Sequence, residues 1–104
     1  MDKIATLKEI LEHTPQDAFA RYGLAMAYAS EGDTSTALAE FDRLTAEHPE
    51  YVPGYFMAAQ TLAKADRNEE AKAQLRSGIA AAQQVGDQHA VGEMQQMLDE
   101  LEQD

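Results

Sequence analysis

The 104 residues fit one compact domain with its own core. Nineteen acidic side chains against eight basic ones give a formal net charge of −11. This is the wrong sign for neutralising phosphates, so neither nucleic acid nor an anionic membrane is an expected partner. The sequence has no cysteine, which excludes disulfides and thiolate chemistry, and a cytoplasmic location is expected.

The N-terminal segment does not have the pattern of an export signal. Charges at Asp2, Lys3, Lys8 and Glu9 fall where a signal peptide needs an unbroken apolar core. The longest apolar-leaning run without charge, residues 51–63, is too short to span a bilayer. We therefore expect a soluble protein.

The first predicted element is an amphipathic helix. Its apolar residues recur at helical spacing with charged residues between them, and they are Ile4, Leu7, Ile10 and Leu11.

A second helix is predicted to begin at the segment 14–17. Thr14 can cap it, Pro15 suits its first position, and Asp17 completes a box-like pair with Thr14. We expect this helix to end at about Ser30.

The turn Glu31-Gly32-Asp33 separates the second helix from a third. Glycine can take the left-handed cap, and Asp33 is placed to accept the first N–H groups of the next helix. This third helix should run to about Glu47 because Pro49 disfavours helical geometry in His48.

Two further helices are predicted between Pro49 and Gly86. The fourth should run from about Pro53 to Ala65. The turn 66–68 follows, in which Asp and Asn tolerate left-handed geometry and Asn68 can cap the fifth helix. That helix should continue to about Val85, before Gly86-Asp87.

The last predicted helix has an apolar stripe and an acidic opposite face. The stripe consists of Ala90, Val91, Met94, Met97, Leu98 and Leu101. The other face carries Asp87, Glu93, Asp99, Glu100, Glu102 and Asp104, and no Lys or Arg follows Arg76. A solvated face of this kind is typical of a terminal cap.

A pattern of large and small residues recurs with a period of 34, which is typical of one repeat family. Its first copy is Arg21-x-x-Leu24-Ala25-x-x-Tyr28, then Ala37-x-x-x-Phe41, then Pro49. Its second is Tyr55-x-x-Ala58-Ala59-x-x-Leu62, then Ala71-x-x-x-Leu75, with Gln83 where the closing proline would stand. The sequence thus resembles the tetratricopeptide repeat (TPR) family. Leu7 precedes Pro15 as Phe41 precedes Pro49, so the first helix resembles the second half of a repeat.

The resemblance implies an all-α, right-handed superhelix of antiparallel helix pairs, with about six helices. We expect an N-terminal half-repeat over 1–14, full repeats over 15–49 and 50–85, and a capping helix over 86–104. A segment cut from a longer array is an alternative interpretation.

In TPRs the first helix of each repeat lines the concave side, and the motif residues pack helix against helix. The resemblance therefore assigns ten motif residues to the core. They are Leu24, Ala25, Tyr28, Ala37, Phe41, Ala58, Ala59, Leu62, Ala71 and Leu75. The positions between them form a candidate peptide-binding site that consists of Phe19, Tyr22, Met26, Phe56, Met57, Gln60 and Lys64. In the alternative, some of these residues belong to the core and are covered by a terminal helix.

The predicted function is a non-enzymatic protein–protein interaction module, as in an adaptor or scaffold, that binds a peptide or helix of a partner. The partner is expected to be basic or amphipathic. Self-association into a homodimer is the alternative.

The basic and amide residues with which some TPRs clamp chaperone C-termini are absent, since Tyr22, Met26 and Met57 occupy those positions. His13, His48 and His89 are widely separated, so no metal or other cofactor is expected.

Overall fold

The computed structural model describes residues 2–103, which form six α-helices. They are α1 (Lys3–His13), α2 (Ala18–Ser30), α3 (Thr34–Glu47), α4 (Val52–Lys64), α5 (Asn68–Val85) and α6 (Gln88–Glu102). Each helix packs against the next one in the chain. The molecule measures 41 × 29 × 19 Å, and within residues 2–103 no helix has the length and hydropathy needed to cross a membrane. The predicted helices and their order are confirmed.

Aspartates begin most of the helices, which corrects one predicted cap. The Asp17 carboxylate accepts the Ala20 N–H at 3.0 Å and so caps α2. Thr14 instead ends α1, where its N–H donates to the Ile10 carbonyl at 2.8 Å. The prediction that Thr14 caps the second helix was wrong because Pro15 and Gln16 form a turn between the two helices.

The two turns inside the predicted repeats use different residues for the same backbone geometry. Gly32 has a φ of 82°, and the Asp33 carboxylate then accepts the Thr36 N–H at 3.3 Å. In the second turn Asp66 takes a φ of 61° without glycine. Asn68 does not cap α5 as predicted, because it is already the first helical residue.

The core is divided into three clusters along the array. Residues from α1 and α2 form the N-terminal cluster, which contains Leu11, Ala20 and Leu24. The middle cluster contains Ala25, Ala37, Phe41 and Ala58. The C-terminal cluster is the largest and contains Val52, Ala59, Leu62, Ala71, Leu75, Ala82, Met94 and Leu98. Nine of the ten motif residues are buried, and the tenth, Tyr28, is half-buried. A core spread along the helices in this way is typical of a repeat array.

Helix α6 packs on the end of the array. Met94 is fully buried, and its Sδ lies 2.6 Å from where a Cβ on Gly78 of α5 would stand. Gly86 provides the left-handed turn (φ 77°) that lets α6 fold back along α5. Because α6 packs mainly on α5, the surface shared by α2 and α4 stays uncovered.

Candidate functional site

Helices α2 and α4 lie next to each other although α3 separates them in the sequence. Both begin a predicted repeat, so residues one period apart stand at matching places on the two helices. Tyr22 corresponds to Phe56, and Met26 corresponds to Gln60. The face shared by α2 and α4 is therefore the structural counterpart of the predicted groove.

A cleft of about 180 Å³ lies between α2 and α4. Four predicted site residues line it together, and these are Met26, Met57, Gln60 and Lys64. The remaining lining residues are Ala29, Ser30, Thr34 and Thr61. Two methionines thus adjoin hydroxyl, amide and ammonium groups, which combines an adaptable apolar surface with polar groups able to orient a ligand.

Phe19 and Tyr22 lie on the same face of α2 as Met26, nearer the start of the helix. The Phe19 side chain is 77% exposed, the most exposed of the large apolar residues in 2–103. Tyr22 is half-buried, with its ring centroid 5.5 Å from that of Tyr51 and 6.5 Å from that of Phe41. Burial raises the pKa of the Tyr22 phenol, so this side chain is neutral at physiological pH. Phe19 offers an open aromatic contact, whereas Tyr22 is fixed by its neighbours.

Phe56 has a different environment from its counterpart Tyr22. It is half-buried and packs against the C-terminal core cluster. Much of its ring surface is therefore used in holding α4 to the rest of the array. The structure brings together Met26, Met57, Gln60 and Lys64 in the cleft, but it places Phe56 outside the cleft lining.

The predicted site omitted five residues of this surface. Ala29, Ser30, Thr34 and Thr61 line the cleft but are small and carry no motif signal. Tyr51, which contacts Tyr22, precedes α4. Helical periodicity could not select it, since it lies in the turn before the helix. Helical spacing could have indicated Ala29, because it stands three residues after Met26 on the same helix.

The side chains of this surface offer apolar contacts and hydrogen bonds to a ligand. The hydroxyl of Thr61 donates to the Met57 carbonyl at 2.8 Å, so it is engaged within its own helix. Within residues 2–103 no group of three His, Cys, Asp or Glu side chains could hold a metal ion. The cleft can accept an apolar side chain, and Gln60 and Lys64 can hydrogen-bond to polar atoms beside it.

These features define an all-α protein of the helical-repeat class. The tetratricopeptide repeat family model matches residues 28–98, which is more than half of the sequence. The chain therefore belongs to the tetratricopeptide repeat family. Domains of this family generally act as protein–protein interaction modules.

Solved structures of several other proteins have the same fold. A TPR domain protein from Salinibacter ruber is 32% identical, with a TM-score of 0.80 over 85% of this chain and 89% of that one. A protein from Bordetella parapertussis is 26% identical, with a TM-score of 0.84 over 99% and 90% of the two chains. YrrB, described as a TPR protein with an unusual peptide-binding site, is 24% identical, with a TM-score of 0.77 over 89% of this chain and 46% of its own. No curated protein matches the chain.

Proposed function

We propose that this protein binds a peptide or helix of a partner protein on the face shared by α2 and α4. The observation that carries the proposal is the cleft lined by Met26 and Met57, together with the exposed ring of Phe19 on the same face of α2. An apolar surface of this kind, left in contact with water beside polar groups, is typical of a binding groove.

The proposed binding mode is burial of apolar partner side chains. One such side chain fits the cleft beside the methionines, whose flexible thioethers repack around different shapes. A second packs on Phe19, whose exposed aromatic ring offers a large apolar surface at the start of α2. Gln60 and Lys64 bind polar atoms of the partner and fix its position along the groove. Proteins of the same fold, among them YrrB, include peptide binders, which supports this mode of action.

Phe19→Ala is the sharpest test, because its side chain is largely exposed and truncation leaves the core intact. Tyr22 and Phe56 are less suitable, since both are half-buried and a charge there would also disturb packing. Val85→Ala is the matched control, since Val85 is a 52% exposed apolar side chain at the end of α5, away from the groove.

The experiment selects binders from a displayed library of random peptides on the wild-type protein and measures their dissociation constants by fluorescence anisotropy. We expect Phe19→Ala to raise Kd by about tenfold or more, as for an aromatic interface anchor, and Val85→Ala to leave it within about twofold. Both variants should melt like the wild type. Selected peptides that bind Phe19→Ala as tightly as the wild type would place the binding surface elsewhere.

A further inference from the structure

Helix α6 shares a core cluster with α4, in which Met94 and Leu98 pack together with Ala59 and Leu62. Met94 and Leu98 stand at the same steps from the start of α6 as Ala58 and Leu62 do from the start of α4, and all four are buried. Because the Ala58/Met94 and Leu62/Leu98 pairs are buried on both helices, the face that carries Met57 and Lys64 on α4 has its counterpart on α6. Helix α6 is therefore a third wall of the groove as well as a cap.

The residues of α4 that line the cleft have counterparts on α6, and these counterparts are the residues of α6 expected on the concave side. Met57 corresponds to Glu93 and Lys64 corresponds to Glu100, by their steps from the two helix starts. Both glutamates are exposed. At these two positions α4 carries the apolar Met57 and the cationic Lys64, whereas α6 carries two carboxylates.

These carboxylates are not neutralised by lysine or arginine. Glu93 lies 3.4 Å from the His89 ring, which forms an ion pair only while the histidine is protonated. Glu100 takes part in none of the ion pairs formed among residues 2–103. The remaining cation near this end of the chain, Arg76, is bound to Glu102 at 2.9 Å.

The concave side is consequently apolar at one end and acidic at the other. The only charged residue in α2 is Arg21, whose side chain is buried against Glu40 and so adds no charge to the groove. Lys64 is the only charged residue in α4, and it disfavours a second cation at that position. A cation of a bound segment is therefore best placed over α6.

We propose that the partner segment is basic and amphipathic, and that Glu93 and Glu100 bind its lysine or arginine side chains while its apolar residues lie on α2 and α4. This inference rests on the proposed function and adds the charge and direction of the partner. A second copy of this chain does not fit the description, because each copy carries a net charge of −11 and the two would repel each other.

The test compares two double variants that remove the same charge from different places. Glu93→Gln with Glu100→Gln alters the third wall, and Glu9→Gln with Glu12→Gln alters exposed positions of α1. The random peptide library is selected separately on the wild type and on both variants. The comparison separates a local effect from the attraction of basic peptides to any acidic protein.

On the wild type we expect enriched peptides to carry Lys or Arg on one side of an apolar stretch. The Glu93→Gln, Glu100→Gln variant should lose that preference and bind wild-type-selected peptides about fivefold more weakly, as expected for two partly exposed ion pairs. The α1 variant should keep both properties.

Enriched peptides without basic residues, or an equal loss in both variants, would overturn the inference and leave the proposed function standing. Failure to enrich any peptide on the wild type would overturn both.

Discussion

At the residue scale, Arg21 is a charged side chain that is buried in the core of an acidic protein. Arg21 is 5% exposed, and its guanidinium donates to Glu40 at 2.6 Å and to the Pro15 carbonyl at 3.2 Å. Glu47 lies 3.9 Å away on the same helix as Glu40. Buried charge is tolerated only when it is paired and hydrogen-bonded, and here two hydrogen-bond acceptors and a second carboxylate surround the arginine.

Two helical glycines give a prediction at the same scale. A Cβ on Gly78 would lie 2.6 Å from Met94 Sδ and 2.7 Å from Tyr55 Cβ, whereas a Cβ on Gly92 would meet nothing within 4 Å. We expect Gly78→Ala to lower the free energy of unfolding by about 1–3 kcal/mol through overpacking. Gly92→Ala should raise it by about 0.5–1 kcal/mol because alanine favours the helix. Urea unfolding measures both, and equal changes would contradict the close packing of α5 on α6.

At the scale of the single helix, two residues are candidates for the N-cap of α2. Asp17 bonds to the Ala20 N–H, while Thr14 lies before the turn. We expect Asp17→Ala to lower the free energy of unfolding by about 1 kcal/mol and Thr14→Ala to change it by less than about 0.5 kcal/mol. Thermal melts of both variants test this, and a larger loss for Thr14→Ala would restore the cap predicted from sequence.

The helices themselves were predictable because their signals are local. Asp33, Gly32 and Gly86 have the predicted roles at helix ends, since caps and left-handed turns depend on a few neighbouring residues. The caps assigned to Thr14 and Asn68 failed because α2 begins later and α5 begins earlier than predicted, and local sequence signals place a helix start only to within a few residues.

At the scale of the whole molecule, stability depends on the end helices. Repeat arrays usually need at least three units, and the six helices of residues 2–103 make at most three helix pairs. The two ends are unequal, because α1 buries only Leu11 whereas α6 buries Met94 and Leu98. Helix α6 should therefore unfold together with the array rather than separately.

Met94→Ala tests that cooperativity, with the exposed neighbour Gln95→Ala as its control. We expect Met94→Ala to lower the free energy of unfolding by about 2–4 kcal/mol, because a fully buried side chain leaves a cavity, and Gln95→Ala to change it by less than about 0.5 kcal/mol. Urea curves followed by circular dichroism supply the values. An unchanged midpoint for Met94→Ala would mean that α6 is not part of the folded unit.

Repeating the curves over a range of protein concentrations tests the alternative of self-association, which makes stability depend on concentration.

The sequence by itself determined the repeat family, the number and order of the helices and nearly all of the buried motif residues. These follow from periodicities of a few residues and from the repeat period, both of which are visible along the chain. Only the tertiary structure decided how those faces meet: Phe56 is used in packing, Tyr51 joins Tyr22 from a turn, and α6 packs on the end of the array and leaves the α2–α4 face uncovered. The reason is that helix–helix contacts join residues far apart in the sequence, and local spacing carries no information about which neighbour covers a given face.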